Sequence, residues 1–165
     1  MSKKLVSAAH VLDLLAGKWS LKRKFVNNID KELSGTASGI TEFLGDNDNA
    51  LSYHESVIAH FDNGVELEGV AFYKFCIEGS KIHQYLVSSI RNEIVEDHMF
   101  ELNFSHTNNQ IYACASYFCG MDKYKVIYSF LDDYQLNITY TALGPNKNFI
   151  TETEFEKNSS LRRWH

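Results

Sequence analysis

Hydrophobic and polar residues alternate along most of this 165-residue chain, and the alternation begins directly after one short helical segment. Apolar residues within 11–15 recur at helical spacing, with Ser7 before them as a helix N-cap and Gly17 after them as a stop signal. From Trp19 onward the period is two, which is typical of strands that bury one face. The pattern predicts one N-terminal helix followed by about ten strands.

Turn-forming sequences divide the strand-rich part into segments of similar length; they include Asn27–Asp30, Asp46–Asn49, Asp62–Gly64, Glu78–Gly79 and Gly144–Pro145. Short turns between successive strands favour an antiparallel meander, and closing it into a barrel removes exposed edges. We therefore predict one all-β domain over residues 1–165: a helix within 1–16, an up-and-down antiparallel β-barrel of about 8–10 strands, and a tail at 158–165. A cystatin-like cone is the alternative fold, although it normally has more than one helix.

Composition narrows the possible partners. The net charge of −5 argues against broad nucleic-acid binding, which needs a basic surface. The sequence contains no apolar run of about 18 residues, so no membrane span is predicted. Three cysteines at uneven spacing are typical of reduced thiols, which favours a cytoplasmic location. The sequence does not give the oligomeric state.

Several motifs resemble those of known barrel proteins. Gly17-Lys18-Trp19 resembles the calycin (lipocalin-like) opening, and ten strands without a C-terminal helix resemble the heme-binding nitrobindin group. The segment Tyr117–Tyr124 is similar to the His-Leu-Cys-x-x-Asp-x-Tyr stretch of an uncharacterised family of short lipocalin-like proteins. The turn Gly144–Asn148 is similar to that family's Gly-Pro-x-Lys-Asp turn.

The resemblance implies a fold and the location of a site, since the family has no established activity. It implies barrel closure by Gly17 and Trp19, with a basic residue stacked on the indole: Lys157, or alternatively the pair Arg162–Arg163. The chain departs from the family where Tyr117 replaces the histidine. Any metal or acid–base chemistry of that histidine would be lost here.

Two charged residues lie at positions that the alternation turns toward the interior. Arg23 stands between Leu21 and Phe25, and Glu55 stands between Tyr53 and Val57. Buried charges are normally paired, so we expect the two side chains to meet inside the barrel. The pair is then either a structural ion pair or a ligand anchor, and Glu55 as a catalytic base is a further alternative.

Several tyrosines also lie at positions that the alternation turns toward the interior, so we expect them to line a cavity in which their hydroxyl groups orient a ligand. Those predicted to bind ligand are Tyr73, Tyr117, Tyr128 and Tyr140. Simple core packing is the alternative for each. No metal site is predicted, because the histidines lack zinc-ligand spacing. No cofactor is predicted either, with heme kept as the alternative that nitrobindin suggests.

The sequence thus predicts binding of a small, partly apolar molecule, with an anionic group as one option, inside a barrel cavity. One alternative is a small isomerase, cyclase or hydrolase that uses Glu55 and interior tyrosines. The other is a protein-interaction module whose barrel is filled by side chains. A cavity of a few hundred Å³ would favour the first two.

Overall fold

The computed structural model of the protein describes residues 4–158. They form one α-helix, α1 (Ala8–Leu15), one 3-10 turn (Lys31–Leu33) and a set of antiparallel strands. The strands are β1 (Lys4–Leu5), β2 (Gly17–Asn27), β3 (Gly35–Asn47), β4 (Ala50–Phe61), β5 (Glu66–Glu78), β6 (Lys81–Ile90), β7 (Glu93–Leu102), β8 (Ser105–Thr107), β9 (Gln110–Cys119), β10 (Asp122–Asp132), β11 (Gln135–Gly144) and β12 (Lys147–Lys157).

All twelve strands of the described region belong to one curled sheet, in the order β1-β8-β9-β10-β11-β12-β2-β3-β4-β5-β6-β7. The predicted all-β antiparallel barrel with a short N-terminal helix is confirmed. The curl brings β7 toward β9, where the rings of Phe100 and Tyr117 lie 5.1 Å apart. Within residues 4–158 no hydrogen-bonded ladder joins these two strands, so side-chain packing closes the seam.

The helix is shorter than the predicted segment 1–16. The hydroxyl of Ser7 accepts a hydrogen bond from the backbone N–H of His10 at 3.2 Å, which caps the first turn as expected. Residues 4–5 ahead of the cap pair with β8 instead of joining the helix. After the helix, Gly17 has φ +125°, a backbone conformation that favours glycine and turns the chain into β2.

The helix closes the end of the barrel at which β2 begins. Trp19 is 1% exposed, and its indole N–H donates to the Leu15 carbonyl at 2.8 Å. The ammonium of Lys157 lies 5.0 Å from the indole ring and donates to the Leu14 carbonyl at 2.9 Å. The structure therefore places a basic residue on Trp19, as the resemblance implied. The alternative pair Arg162–Arg163 and the tail after residue 158 lie outside the described residues.

The strand register fixes which side chains face the interior. Arg23 on β2 is opposite Ala37 on β3, which is opposite Ala59 on β4. Gly39 on β3 lies opposite Val57, and a Cβ atom there would collide with the Ser56 carbonyl. Small residues on β3 thus leave a trough between β2 and β4.

The described residues contain twelve strands where about 8–10 were predicted, because the short strands β1 and β8 were not expected. Strand β7 also begins at Glu93, ahead of the part in which buried and exposed residues alternate. Arg91 and Asn92 adopt φ values of 51° and 66°, which make a tight hairpin that hydrophobic periodicity alone does not reveal. The first part of β7 is rich in charged residues and exposed, so it lacks the alternating pattern.

Candidate functional site

An ion pair crosses the trough on β3 and joins β2 to β4. The Nη1 and Nη2 atoms of Arg23 donate to Oε2 and Oε1 of Glu55 at 2.9 and 2.6 Å. Arg23 Nε donates to the hydroxyl of Thr153 on β12 at 2.8 Å, and the Tyr53 hydroxyl donates to Glu55 Oε1 at 2.6 Å. The structure thus brings the two predicted residues together in a bidentate pair that two further side chains hold in place.

Electrostatics stabilise the charged form of both partners. Burial by itself would raise the pKa of the Glu55 carboxyl, but hydrogen bonds and charge from Arg23, with the Tyr53 hydroxyl, bring this pKa below its ordinary value. Burial would lower the pKa of Arg23, and Glu55 raises it instead. The contacts with Arg23 and Tyr53 outweigh burial, and the resulting pKa does not favour Glu55 as a general base near neutral pH.

Beside this ion pair lies a cavity of about 390 Å³, which we call the inner chamber. Its polar lining includes Arg23, Glu55, Gln84 and Thr153, and its walls are mostly aromatic and aliphatic. The aromatic and aliphatic lining residues are Phe43, Tyr53, Tyr73, Phe75, Leu86, Met99, Phe100, Val126, Tyr128, Ile138, Tyr140, Phe149 and Phe155. A largely apolar space with a few convergent polar groups has the character of a small-molecule site.

Three of the four predicted tyrosines line the inner chamber: Tyr73, Tyr128 and Tyr140. Tyr117 lies beside it, stacked on Tyr124 with ring centroids 4.9 Å apart. Burial raises the pKa of each of these four phenols, so their hydroxyls stay protonated through neutral pH. Whether any of them binds a ligand stays a prediction.

The sequence did not single out several polar groups of the site. Gln84 on β6 is buried, and its Oε1 accepts from the Tyr128 hydroxyl at 2.6 Å. Thr153 and Tyr53 hold the ion pair from β12 and β4. Alternation along the strand was the signal available, because Thr153 lies between two exposed residues and Gln84 lies between two half-buried ones.

A larger but open depression of about 780 Å³ lies over β2, β3, β4 and β5 and is lined mostly by outward-facing residues. It carries exposed apolar side chains, including Ile40 and Val70, each 69% exposed. We place the candidate site in the inner chamber, because there the polar groups are buried and converge.

Histidines form one close pair away from the inner chamber. His83 Nδ1 and His98 Nε2 lie 2.8 Å apart on the outer face of β6 and β7. Among residues 4–158 no group of three or more His, Cys, Asp and Glu side chains is placed to hold a metal ion. Heme binding stays an untested alternative.

No helix in the described part of the chain is both long enough and apolar enough to cross a membrane. The cytoplasmic location stays a prediction.

Comparison with known proteins identifies one family. The family of unknown function DUF6314 matches residues 15–157, which include every residue of the ion pair and the inner chamber. No curated protein matches the chain.

Solved structures share the architecture at low sequence identity. The S-type phycobiliprotein lyase from Guillardia theta has a TM-score of 0.55 and 8% identity, over 93% of each chain. The structure of EF1p2_mFAP2b bound to DFHBI has a TM-score of 0.46 and 10% identity, over 92% of this chain and 100% of that one. A redesigned β-barrel, mFAP1, bound to DFHBI has a TM-score of 0.42 and 12% identity, over 88% and 97%. The likeness to the lyase shows the barrel fold alone; nitrobindin is not among these structures.

Proposed function

Because this chain belongs to the DUF6314 family, whose function is unknown, we propose its role from the interior of the barrel. The protein binds a small, partly apolar molecule in the inner chamber, against the Arg23–Glu55 pair. The observation that carries this proposal is the combination of an aromatic cavity of about 390 Å³ with the hydrogen-bonded Arg23–Glu55 ion pair on its wall. Ligand sites commonly have this composition and size.

Binding is favoured over catalysis by the state of Glu55. Its carboxylate accepts hydrogen bonds from Arg23 and Tyr53, and its lowered pKa makes it a weak base. A general base near neutral pH would need the opposite shift. Binding is also favoured over an interaction module, because that alternative predicted a barrel filled by side chains.

The lyase from Guillardia theta is a natural protein with the same fold. This likeness extends to the fold alone, and we infer binding from the inner chamber of this chain.

The proposal is tested by native mass spectrometry and by titration with Prodan, a neutral naphthalene ketone. Leu86 lines the inner chamber and is 37% exposed, so Leu86→Trp fills the space without crowding a closed core. Its neighbour Val87 does not line the chamber, and Val87→Trp is the matched control. We expect the native protein and the control to bind Prodan or retain a co-purified small molecule, and Leu86→Trp to lose both.

Equal binding by the two tryptophan variants would place the ligand elsewhere and contradict the proposal. A native protein that carries no small molecule and binds no Prodan at millimolar concentration would contradict it as well.

A further inference from the structure

A second apolar space, open to solvent, lies beyond the ion pair, at the end of the barrel opposite Trp19. This outer chamber has a volume of about 320 Å³. Its apolar lining includes Phe25, Leu33, Ala37, Val57, Ala59 and Phe61. Arg23, Phe149 and Thr151 line both chambers, so the two spaces adjoin at these three side chains.

The two chambers differ in chemistry. Apart from Arg23, Asn27 and Thr151, the lining of the outer chamber consists of hydrocarbon side chains. The inner chamber adds Glu55, Gln84 and tyrosine hydroxyls to its aromatic walls. A molecule that crosses the boundary therefore meets apolar surface on both sides and a polar group between them.

Arg23 determines which polar group fits at this boundary. A guanidinium has five N–H donors, and the bonds to Glu55 and Thr153 use three of them within the described residues. The two other N–H groups can donate to a ligand, while the charge is already balanced by Glu55. A carboxylate would have to compete with Glu55 for the same cation, whereas a neutral carbonyl oxygen only needs a donor.

We propose, on the basis of the proposed function, that the ligand spans both chambers. It is an elongated, uncharged molecule whose carbonyl group accepts a hydrogen bond from Arg23 and is flanked by an apolar group on each side. One apolar group occupies the outer chamber between Ala59 and Phe61, and the other occupies the inner chamber.

Competition between Prodan and three small molecules tests the two apolar groups and the carbonyl group of the ligand separately. Benzophenone has a carbonyl with a ring on each side, acetophenone lacks one ring, and diphenylmethane lacks the carbonyl. We expect benzophenone to bind about tenfold or more tightly than either of the others. Acetophenone lacks one buried ring, and diphenylmethane lacks the group that accepts the hydrogen bond.

Ala59→Phe tests the outer chamber directly, with Ile58→Phe as the control on the neighbouring residue of β4, which does not line it. Ala59→Phe is expected to weaken benzophenone about tenfold and to leave acetophenone within about twofold, because a filled outer chamber excludes only the second ring. Ile58→Phe is expected to change neither.

Two results would overturn the proposal in distinguishable ways. Acetophenone that binds as tightly as benzophenone, with no effect of Ala59→Phe, would remove the two-chamber ligand and leave binding in the inner chamber intact. Absence of Prodan binding, with no heat of binding from any of the three probes in calorimetry, would remove this inference together with the proposed function.

Discussion

The guanidinium of Arg23 and the carboxylate of Glu55 form a bidentate pair over the small residues of β3, with N–O distances of 2.9 and 2.6 Å. Arg23 belongs to β2 and Glu55 to β4, so the pair ties together two strands that do not touch in the sheet. Because the strand between them carries Ala37 and Gly39, the side chains can meet directly above it. The polar centre of the proposed site is therefore also a structural link.

Single and double substitutions of the ion pair should give opposite results. Arg23→Met leaves a buried carboxylate without its cation, and we expect a loss of about 3–5 kcal/mol in the free energy of unfolding. Arg23→Met combined with Glu55→Met replaces the pair by apolar groups of similar size and should recover most of that loss. Urea denaturation measures both. Additive losses in the double variant would mean that the two charges do not stabilise each other.

Low pH should reduce the stability of the folded protein because Glu55 becomes protonated. Its pKa in the folded protein lies below the ordinary value of 4.5, so the group contributes stability that is present above about pH 4.5 and is lost as pH falls through the folded pKa. Glu55→Gln removes this contribution. We expect the variant to be less stable at pH 7 and to show a weaker decline of stability from pH 5 to pH 3. Parallel pH curves for the two proteins would contradict this assignment.

Gly39 and Gly45 lie on the same strand, but their replacement by alanine should change the stability of the protein by different amounts. A Cβ at Gly39 would collide with the Ser56 carbonyl, whereas nothing lies within 4 Å of one at Gly45. Gly39→Ala is expected to cost about 1–3 kcal/mol of stability. Gly45→Ala is expected to be neutral or slightly stabilising in the same thermal melts. A neutral Gly39→Ala would show that β3 and β4 can separate at this point.

Lys157 should stabilise the closed end of the barrel through its contact with Trp19. Lys157→Met removes the cation over the indole and the hydrogen bond to the Leu14 carbonyl. We expect a loss of about 1–2 kcal/mol in the free energy of unfolding. Lys18→Met is the control, because the Lys18 side chain is 70% exposed and its salt bridge to Glu42 spans 3.7 Å. Equal losses of stability for the two variants would show that the contact between Lys157 and Trp19 contributes no additional stability.

The fold was predictable from the sequence because hydrophobic and polar residues alternate with a period of two along almost every strand. The same alternation placed Arg23 and Glu55 on the interior, and the cost of burying single charges predicted their contact. The resemblance to calycin barrels pointed to a basic residue over Trp19, which the structure places at Lys157.

Other parts of the site depend on information that periodicity does not contain. Gln84 meets Tyr128 only because the register of distant strands brings β6 opposite β10 across the barrel interior. The side chains around Arg23 divide the space into two chambers, and no local sequence pattern predicts this division. The first part of strand β7 was not predictable because its exposed charged residues carry no hydrophobic signal.

Methionine methyl groups offer the most direct test of the central claim that the barrel interior binds a small molecule. Met99 lines the inner chamber, while Met121 lies on the outer surface and is 80% exposed. With ¹³C-methyl methionine, and Met99→Leu to assign the signal, Prodan is titrated and the methyl spectrum is recorded. Binding in the inner chamber predicts a saturable shift of the Met99 methyl signal with the Met121 signal unchanged. A saturable shift of Met121 alone, or no shift of either signal at millimolar Prodan, would contradict it.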